Sequence, residues 1–299
     1  MSTSSSRRRT GLAIFVCALM AFAAYDAFCK HMLQSYAAPF VNVMRYLSVI
    51  VVAFVTLWRH GDLRLWCAPQ RPLLLLRGAM LATVATCFMT ALIWMPLAEA
   101  TAIYFTAPLV MVALSPSLLG ERVQRSRWVA VTVGFGGMLL IVRPGNALPW
   151  LGTLLMAIAA VCYAVFQLLT RRLAALVPSP VQFAYTALVC LVVTAIPAPF
   201  FWPTQTVPLH DVLLLLAGGA CSAAAQLMLL AAFERVEAST LAPLNYLQLL
   251  LAVAISSLWF HKPPDALATA GIMLILAAGI YLARSRPAGR AVQALPATP

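Results

Sequence analysis

Asp26 lies in the apolar stretch AFAAYDAFCKH, one helical turn before Lys30. A carboxylate and an ammonium four residues apart share one helix face and can pair. The next cation within an apolar run is Arg45. By helical rise Asp26 lies about 6 Å deeper than Lys30, and Arg45 about 9 Å in from the start of the returning run, so Asp26 and Arg45 stand at similar depth on consecutive antiparallel helices. Three chemistries are open to Asp26: a fixed ion pair with Arg45 or Lys30 that ties helices together, a change of protonation during a working cycle, or direct contact with a charged substrate. Ionisable groups at such depth are costly and mark functional candidates. Arg45 in turn requires a carboxylate, carbonyls, water or a substrate anion as partner.

Neutral polar residues accompany them. Asn42 precedes Arg45 by one turn; Gln167, Gln226, Asn245 and Gln248 fall in later apolar runs, the last two three apart on one helix face. Tyr25, Trp94, Tyr104, Tyr163 and Tyr246 could wall a pocket for a planar or amphipathic solute. The alternative for each polar residue is interhelical hydrogen bonding, worth about 1 kcal/mol per contact. Pro243 can free backbone carbonyls beside Asn245. Glu99 and Glu237 open helices, where a carboxylate suits the positive end of the dipole. Gly134, Gly136 and Gly137, like Gly218 and Gly219, let helices approach closely.

No HExxH, GxSxG or P-loop motif occurs, and the four histidines are scattered in turns. The expectation is therefore no enzyme, no metal and no cofactor. The seven cysteines lie singly, without CxxC spacing or a disulfide framework.

The elements that position these residues follow from composition. With 63% hydrophobic and 9% charged residues among 299, and a mean hydropathy of +0.92, the chain reads as a polytopic helical membrane protein. Apolar windows near 11–30, 38–58, 73–95, 98–119, 128–143, 150–170, 180–200, 211–233, 238–259 and 265–283 give ten spans joined by short loops. The first window has a basic start like a signal peptide, but it runs straight on into Asp26 and Lys30. Net charge +12 is sorted by side: with the N-terminus in the cytoplasm, 16 of the 20 Lys and Arg fall there, Arg77 and Arg235 included. Lys30, Arg143 and Lys262 fall outside, and Arg45 within a span. The positive-inside rule places both termini in the cytoplasm, and the basic charge reads as topology, not as a nucleic-acid footprint.

The chain also repeats. Sliding it along itself until Lys30 meets Arg171 lays GLAIFVCALMAFAAYDAFCK over GTLLMAIAAVCYAVFQLLTR and matches Pro39 with Pro180 and Asp26 with Gln167. A second match, in a slightly shorter register, sets LAEATA from Leu97 over RVEAST from Arg235. A five-span half that repeats must enter the membrane from the opposite side, and such inverted repeats suit alternating access.

The stretches LAEATAIYFTAPLVMVALSPSLLGERVQRSRWVAVTVGFGGMLLIVRPG and EASTLAPLNYLQLLLAVAISSLWFHKPPDALATAGIMLILAAGIYLARSRP resemble the paired halves of the EamA family of the drug/metabolite transporter superfamily. The resemblance covers roughly residues 11–286. One departure stands out: His261-Lys262 replaces the Gly-acid pair usual in the family after the ninth span. The resemblance implies an all-α integral membrane protein of ten transmembrane helices in two inverted five-helix repeats, 11–146 and 147–286. A cytoplasmic tail is expected over 1–10 and a disordered one over 287–299. It further implies a secondary transporter, proton-coupled or exchange-type, of a small organic metabolite such as an amino acid or cofactor-like solute. The other reading is a membrane scaffold or channel-like protein. Expected partners are the small-molecule substrate, membrane lipid and a possible second copy of the chain, with no nucleic acid, in a bacterial inner membrane.

Overall fold

The structure is a computed structural model and describes residues 2–59, 70–119, 123–142, 148–173, 176–233, 235–236 and 241–284. Among these, the chain forms eleven α-helices and no strand: α1 (Ser2–Met32), α2 (Ala38–Arg59), α3 (Arg71–Trp94), α4 (Leu97–Tyr104), α5 (Ala107–Leu119), α6 (Arg125–Val142), α7 (Trp150–Leu173), α8 (Ser179–Ala195), α9 (Leu209–Phe233), α10 (Tyr246–Leu258) and α11 (Ala266–Arg284). Helix is the form that satisfies every backbone polar group within its own segment, which an apolar solvent demands. Eight helical stretches are long and apolar enough to cross a membrane, α4 and α5 counting together as Leu97–Leu114, and the shorter apolar helices Ser179–Ala195 and Tyr246–Leu258 bring the apolar segments to ten.

Three windows differ from expectation, each beside a proline. The fourth breaks at Phe105–Thr106 into α4 and α5, because Pro108 cannot donate to the Tyr104 carbonyl and its ring would crowd it. Thr106 covers part of the gap by donating its hydroxyl to the Ile103 carbonyl at 2.7 Å. The seventh stops at Ala195 and passes through Pro197 into a short 3-10 turn, Ala198–Phe201. The ninth is entered by a 3-10 turn, Ala242–Asn245, which contains Pro243, so its α-helix starts only at Tyr246. The match of LAEATA to RVEAST and Glu237 fall mostly or wholly on residues 237–240, outside the described residues, as does the tail expected over 287–299. The N-terminal segment expected as a tail continues α1 back to Ser2.

Helix packing follows the repeat. α6 packs on α11, α3 on α7, α1 on α9, α2 on both α8 and α9, and α3 on α8. Replacing each helix by its counterpart in the other half turns α3–α7 into α9–α1 and α2–α9 into α8–α3, and returns α6–α11 and α2–α8 unchanged. Individual contacts obey the same register that sets Asp26 on Gln167. Gly11 abuts Val236 and Gly152 abuts Met95; Gly219 abuts Ser48 and Gly78 abuts Val189; Gly134 abuts Ala278 and Gly137 abuts Ile275. Along α6 and α11 the contacts advance in opposite directions, Gly134 to Ala278, Gly137 to Ile275, Ile141 to Gly271, so these counterparts run antiparallel. At their crossing Gly137 and Gly271 each lie against the other's carbonyl oxygen, and a β-carbon on either would sit 2.4–2.6 Å from it.

Candidate functional site

Asp26, on α1, meets a side chain far along the chain: Gln248 Nε2, on α10, donates to Asp26 Oδ2 at 3.1 Å. Asn245, Tyr246 and Gln248 surround the start of α10, which the proline-bearing 3-10 turn points toward α1. No ion pair joins Asp26 to Arg45 or to Lys30 among the described residues. Arg45 instead donates from Nη2 to Ser222 Oγ on α9 at 2.9 Å and lies over two rings, Tyr25 at 4.7 Å and Tyr46 at 5.3 Å. An aromatic face attracts a guanidinium most strongly where water is scarce. Arg45 Nε is buried without a hydrogen-bond partner. Gly219 permits this approach, lying against the Arg45 backbone.

Lys30 does not pair with Asp26 among the described residues. Its Nζ donates to the carbonyls of Leu92 at 2.8 Å and Met95 at 2.7 Å, capping the C-terminal end of α3, where the helix dipole is negative. Glu99, in the first turn of α4, is buried, with Oε2 lacking a partner. Its place fits the dipole, but the seal around it exceeds what capping at an interface requires.

Aromatic rings continue from the polar pair. Tyr104 lies 4.9 Å from Tyr163 and 5.5 Å from Phe88; Phe105 lies 5.7 Å from Tyr246 in the second half. The Tyr246 ring occupies space that only a glycine at 279 leaves open, since a β-carbon there would sit 1.8 Å from the ring.

A second guanidinium was placed by the charge count on the cytoplasmic side and is in fact buried. Arg77 donates from Nε to Thr170 Oγ1 at 2.7 Å and from Nη1 to the Gln182 carbonyl at 3.0 Å and to Thr186 Oγ1, and lies over Phe166 at 4.4 Å. A faint signal was present in the sequence: Arg77 follows the apolar run Leu73–Leu76 inside the third window, though nearer its start than Arg45 is to the start of the second.

Other expected wall and lining residues fall elsewhere. Trp94 is 47% exposed at the end of α3, the usual place of an interfacial tryptophan, and joins no ring cluster among the described residues. Asn42 is fully buried and donates to the Ala85 carbonyl at 3.4 Å, a bridge from α2 to α3. Gln167 and Gln226 are half-buried on α7 and α9, and neither they nor Asn245 bonds to the Asp26–Gln248 pair among the described residues. Two hollows open on the periphery, one along α11 at Ala277, Ile280, Tyr281 and Arg284, the other at Val51, Val55, Arg59 and Leu227, and the candidate residues line neither. No cluster of three or more metal-ligating side chains occurs among the described residues.

The EamA-like transporter family matches this chain twice, over residues 9–143 and 150–284. The chain belongs to that family. Its EamA repeats place it in the drug/metabolite transporter superfamily, as a multi-pass protein of the bacterial inner membrane. An S-adenosylmethionine uptake transporter of Rickettsia bellii is 26% identical over 276 residues, covering 91% of this chain and 92% of the relative. The pseudopaline exporter CntI of Pseudomonas aeruginosa is 28% identical over 286 residues, covering 93% and 97%. A riboflavin transporter of Rhizobium johnstonii is 28% identical over 216 residues, covering 71% and 70%. A solved crystal structure superimposes with a TM-score of 0.62 over 94% of this chain and 99% of that one; at 20% identity it shows a shared fold alone. The departure from the EamA pattern also has a structural mark: His261, where the family usually has glycine, holds φ at 51°, in the left-handed region that glycine occupies freely.

Proposed function

We propose that this EamA protein is a secondary active transporter, proton-coupled or exchange-type, that moves a small organic metabolite by alternating access. The reading includes ten crossings, two inverted repeats over 11–146 and 147–286, and both termini in the cytoplasm. One observation carries it: the two buried guanidinium sites stand at counterpart junctions. Tyr25 on α1, Arg45 on α2 and α9 meet at one; Phe166 on α7, Thr186 on α8 and Arg77 on α3 meet at the other. The register that sets Asp26 on Gln167 also sets Tyr25 on Phe166 and Arg45 on Thr186. The ends of α1 and α3 meet through Lys30, Leu92 and Met95, and the start of α7 joins them through Gly152 and Met95, so α1 and α7 run in opposite directions. The Arg45 junction therefore lies toward one end of the bundle and the Arg77 junction toward the other. The first keeps its Nε buried and unpartnered, while in the second both Nε and Nη1 donate to α7 and α8. A device that opens one side while closing the other needs such a pair of like junctions in unlike states. The relatives' names include uptake and export and several solute chemistries; a small organic metabolite is the class they share.

The test is flux in proteoliposomes, with amino acids, nucleoside-like and vitamin-like solutes and an imposed pH gradient. Gradient-driven flux that disappears in monodisperse Asp26→Asn supports proton coupling through Asp26, since Asn can still accept the Gln248 bond and hold α1 to α10. Flux that persists unchanged makes Asp26 a fixed tie. Absence of flux for every solute supports the scaffold reading.

A further inference from the structure

α2 and α9 belong to different halves and run in the same direction: Tyr36, just before α2, meets Asp211, Arg45 meets Gly219, and the α2 segment from Val51 to Arg59 stands opposite Leu227. Their backbones touch at Gly219, which lies against the Arg45 carbonyl oxygen and α-carbon. Beyond that crossing a hollow of about 360 Å³ opens between them, walled by Val51, Val52, Val55 and Thr56 of α2 and Leu227 of α9, and ended by Arg59. Thr56 donates its hydroxyl to the Val52 carbonyl at 2.7 Å, so its one proton is used within the helix. Val51, Phe54, Val55 and Trp58 form one exposed stripe at helical spacing, so this side of α2 faces hydrocarbon. Arg59 closes the helix, is exposed, and makes no hydrogen bond or ion pair among the described residues.

The helical rise from Val51 to Arg59 is about 12 Å, close to the roughly 15 Å of hydrocarbon in one leaflet. An apolar slot one leaflet deep, with a guanidinium at headgroup level, matches one acyl chain below its phosphate. In the topology proposed above this leaflet is the cytoplasmic one, where anionic lipids collect. α11 repeats the build on a single helix: Ala277, Ile280 and Tyr281 line a hollow of about 380 Å³ that also ends on a last-turn arginine, Arg284.

We propose that the seam between α2 and α9 binds an anionic phospholipid, one acyl chain lying along Val51, Val55 and Leu227 and the phosphate accepting from Arg59. Arg59 can pair with the phosphate of any phospholipid. An ethanolamine head, however, brings an ammonium that repels the guanidinium and competes for the same phosphate, whereas a glycerol head does not. The site stands on the seam alone, whether or not the chain moves a solute.

The test is native mass spectrometry of the purified protein in detergent, offered equal amounts of phosphatidylglycerol and phosphatidylethanolamine with identical chains. The expected result is retention of phosphatidylglycerol over phosphatidylethanolamine by about fivefold. Arg59→Gln should bring the two to parity and Arg59→Lys should keep part of the preference, with Arg125→Gln, at the start of α6, as an unchanged control. Val55→Trp fills the hollow from a lipid-facing position and keeps the charge; it should lower retention of both lipids. A phosphatidylglycerol with a photoreactive diazirine midway along one chain should label the segment from Val51 to Val55 or Leu227. Glycerol phosphate in large excess should not displace the lipid; displacement would reduce the site to an anion contact at Arg59. That outcome overturns the proposal, as do equal retention by the native protein, a preference untouched by Arg59→Gln, retention untouched by Val55→Trp, labelling elsewhere on the chain, or a second copy of the chain on this face in place of lipid.

Discussion

Arg45 and Arg77 serve counterpart junctions from different helices. Each guanidinium lies over an aromatic ring, Tyr25 and Phe166, at positions related by the internal repeat, but α2 supplies the first and α3 the second. At the position equivalent to Arg77 the second half has Gly218, and at the position equivalent to Arg45 it has Thr186, which accepts from Arg77. The repeat has thus retained the contact and exchanged the donor helix.

Removing Arg77 separates charge from volume. Thr170 and Thr186 keep donating to their own helices, to Phe166 and Gln182 carbonyls, so loss of the guanidinium orphans no donor. Arg77→Met should therefore leave stability within about 1 kcal/mol of the native protein, whereas Arg77→Ala, which leaves a void among α3, α7 and α8, should cost about 2–3 kcal/mol. Thermal unfolding in one detergent, read for both variants, checks the split.

Gly279 gives the Tyr246 ring its place. Gly279→Ala should destabilise by about 1–3 kcal/mol through overpacking, and Tyr246→Leu, which vacates that volume, should recover much of the loss in the double variant. A double-mutant cycle on unfolding free energy measures the coupling; additive losses would show that the ring has room to move.

The left-handed backbone at His261 costs free energy that glycine avoids. His261→Gly should raise stability by about 1 kcal/mol while His261→Ala, which keeps the strain, should not. The Lys262 N–H and carbonyl both bond to Ser256, at 2.9 Å each, so the turn itself is held and the backbone angle is what the pair of variants reports.

Tyr36, in the turn between α1 and α2, donates to Asp211 Oδ2 on α9 at 2.5 Å. That bond holds the Tyr36 hydroxyl above its ordinary pKa, with desolvation and the Asp211 charge pushing the same way. A raised folded-state pKa means that the tie contributes fully below the ordinary tyrosine value of about 10 and fades as pH climbs through the folded value. The stability difference between native protein and Tyr36→Phe should be constant near neutrality and shrink at strongly alkaline pH. A difference that stays level to the end of the range would show that the hydroxyl contributes nothing.

Much of the architecture was legible because membrane crossing imposes a length and the repeat an offset. The same register that aligns Asp26 with Gln167 in sequence relates Gly11–Val236 to Met95–Gly152 in space. The breaks at Pro108 and Pro243 were less legible, since a proline shows where a hydrogen bond is lost and not how the chain turns. Depth was readable for Asp26 and Arg45; partners were not, because helix rotation decides them. Rotation puts Gln248, and not Arg45, on Asp26 and sends Lys30 to the carbonyls of α3. Arg77 escaped notice for the opposite reason: a rule that counts basic residues by side treats each as solvated.

The crossing of α6 and α11 has a mechanical meaning. Gly137 and Gly271 bring backbone against backbone, with no side chain between them to flex or change rotamer. Such a crossing resists sliding along the helix axes. Under the alternating-access mechanism proposed above, it is the fulcrum about which the two halves would turn, with the Arg45 and Arg77 junctions at the ends of the lever.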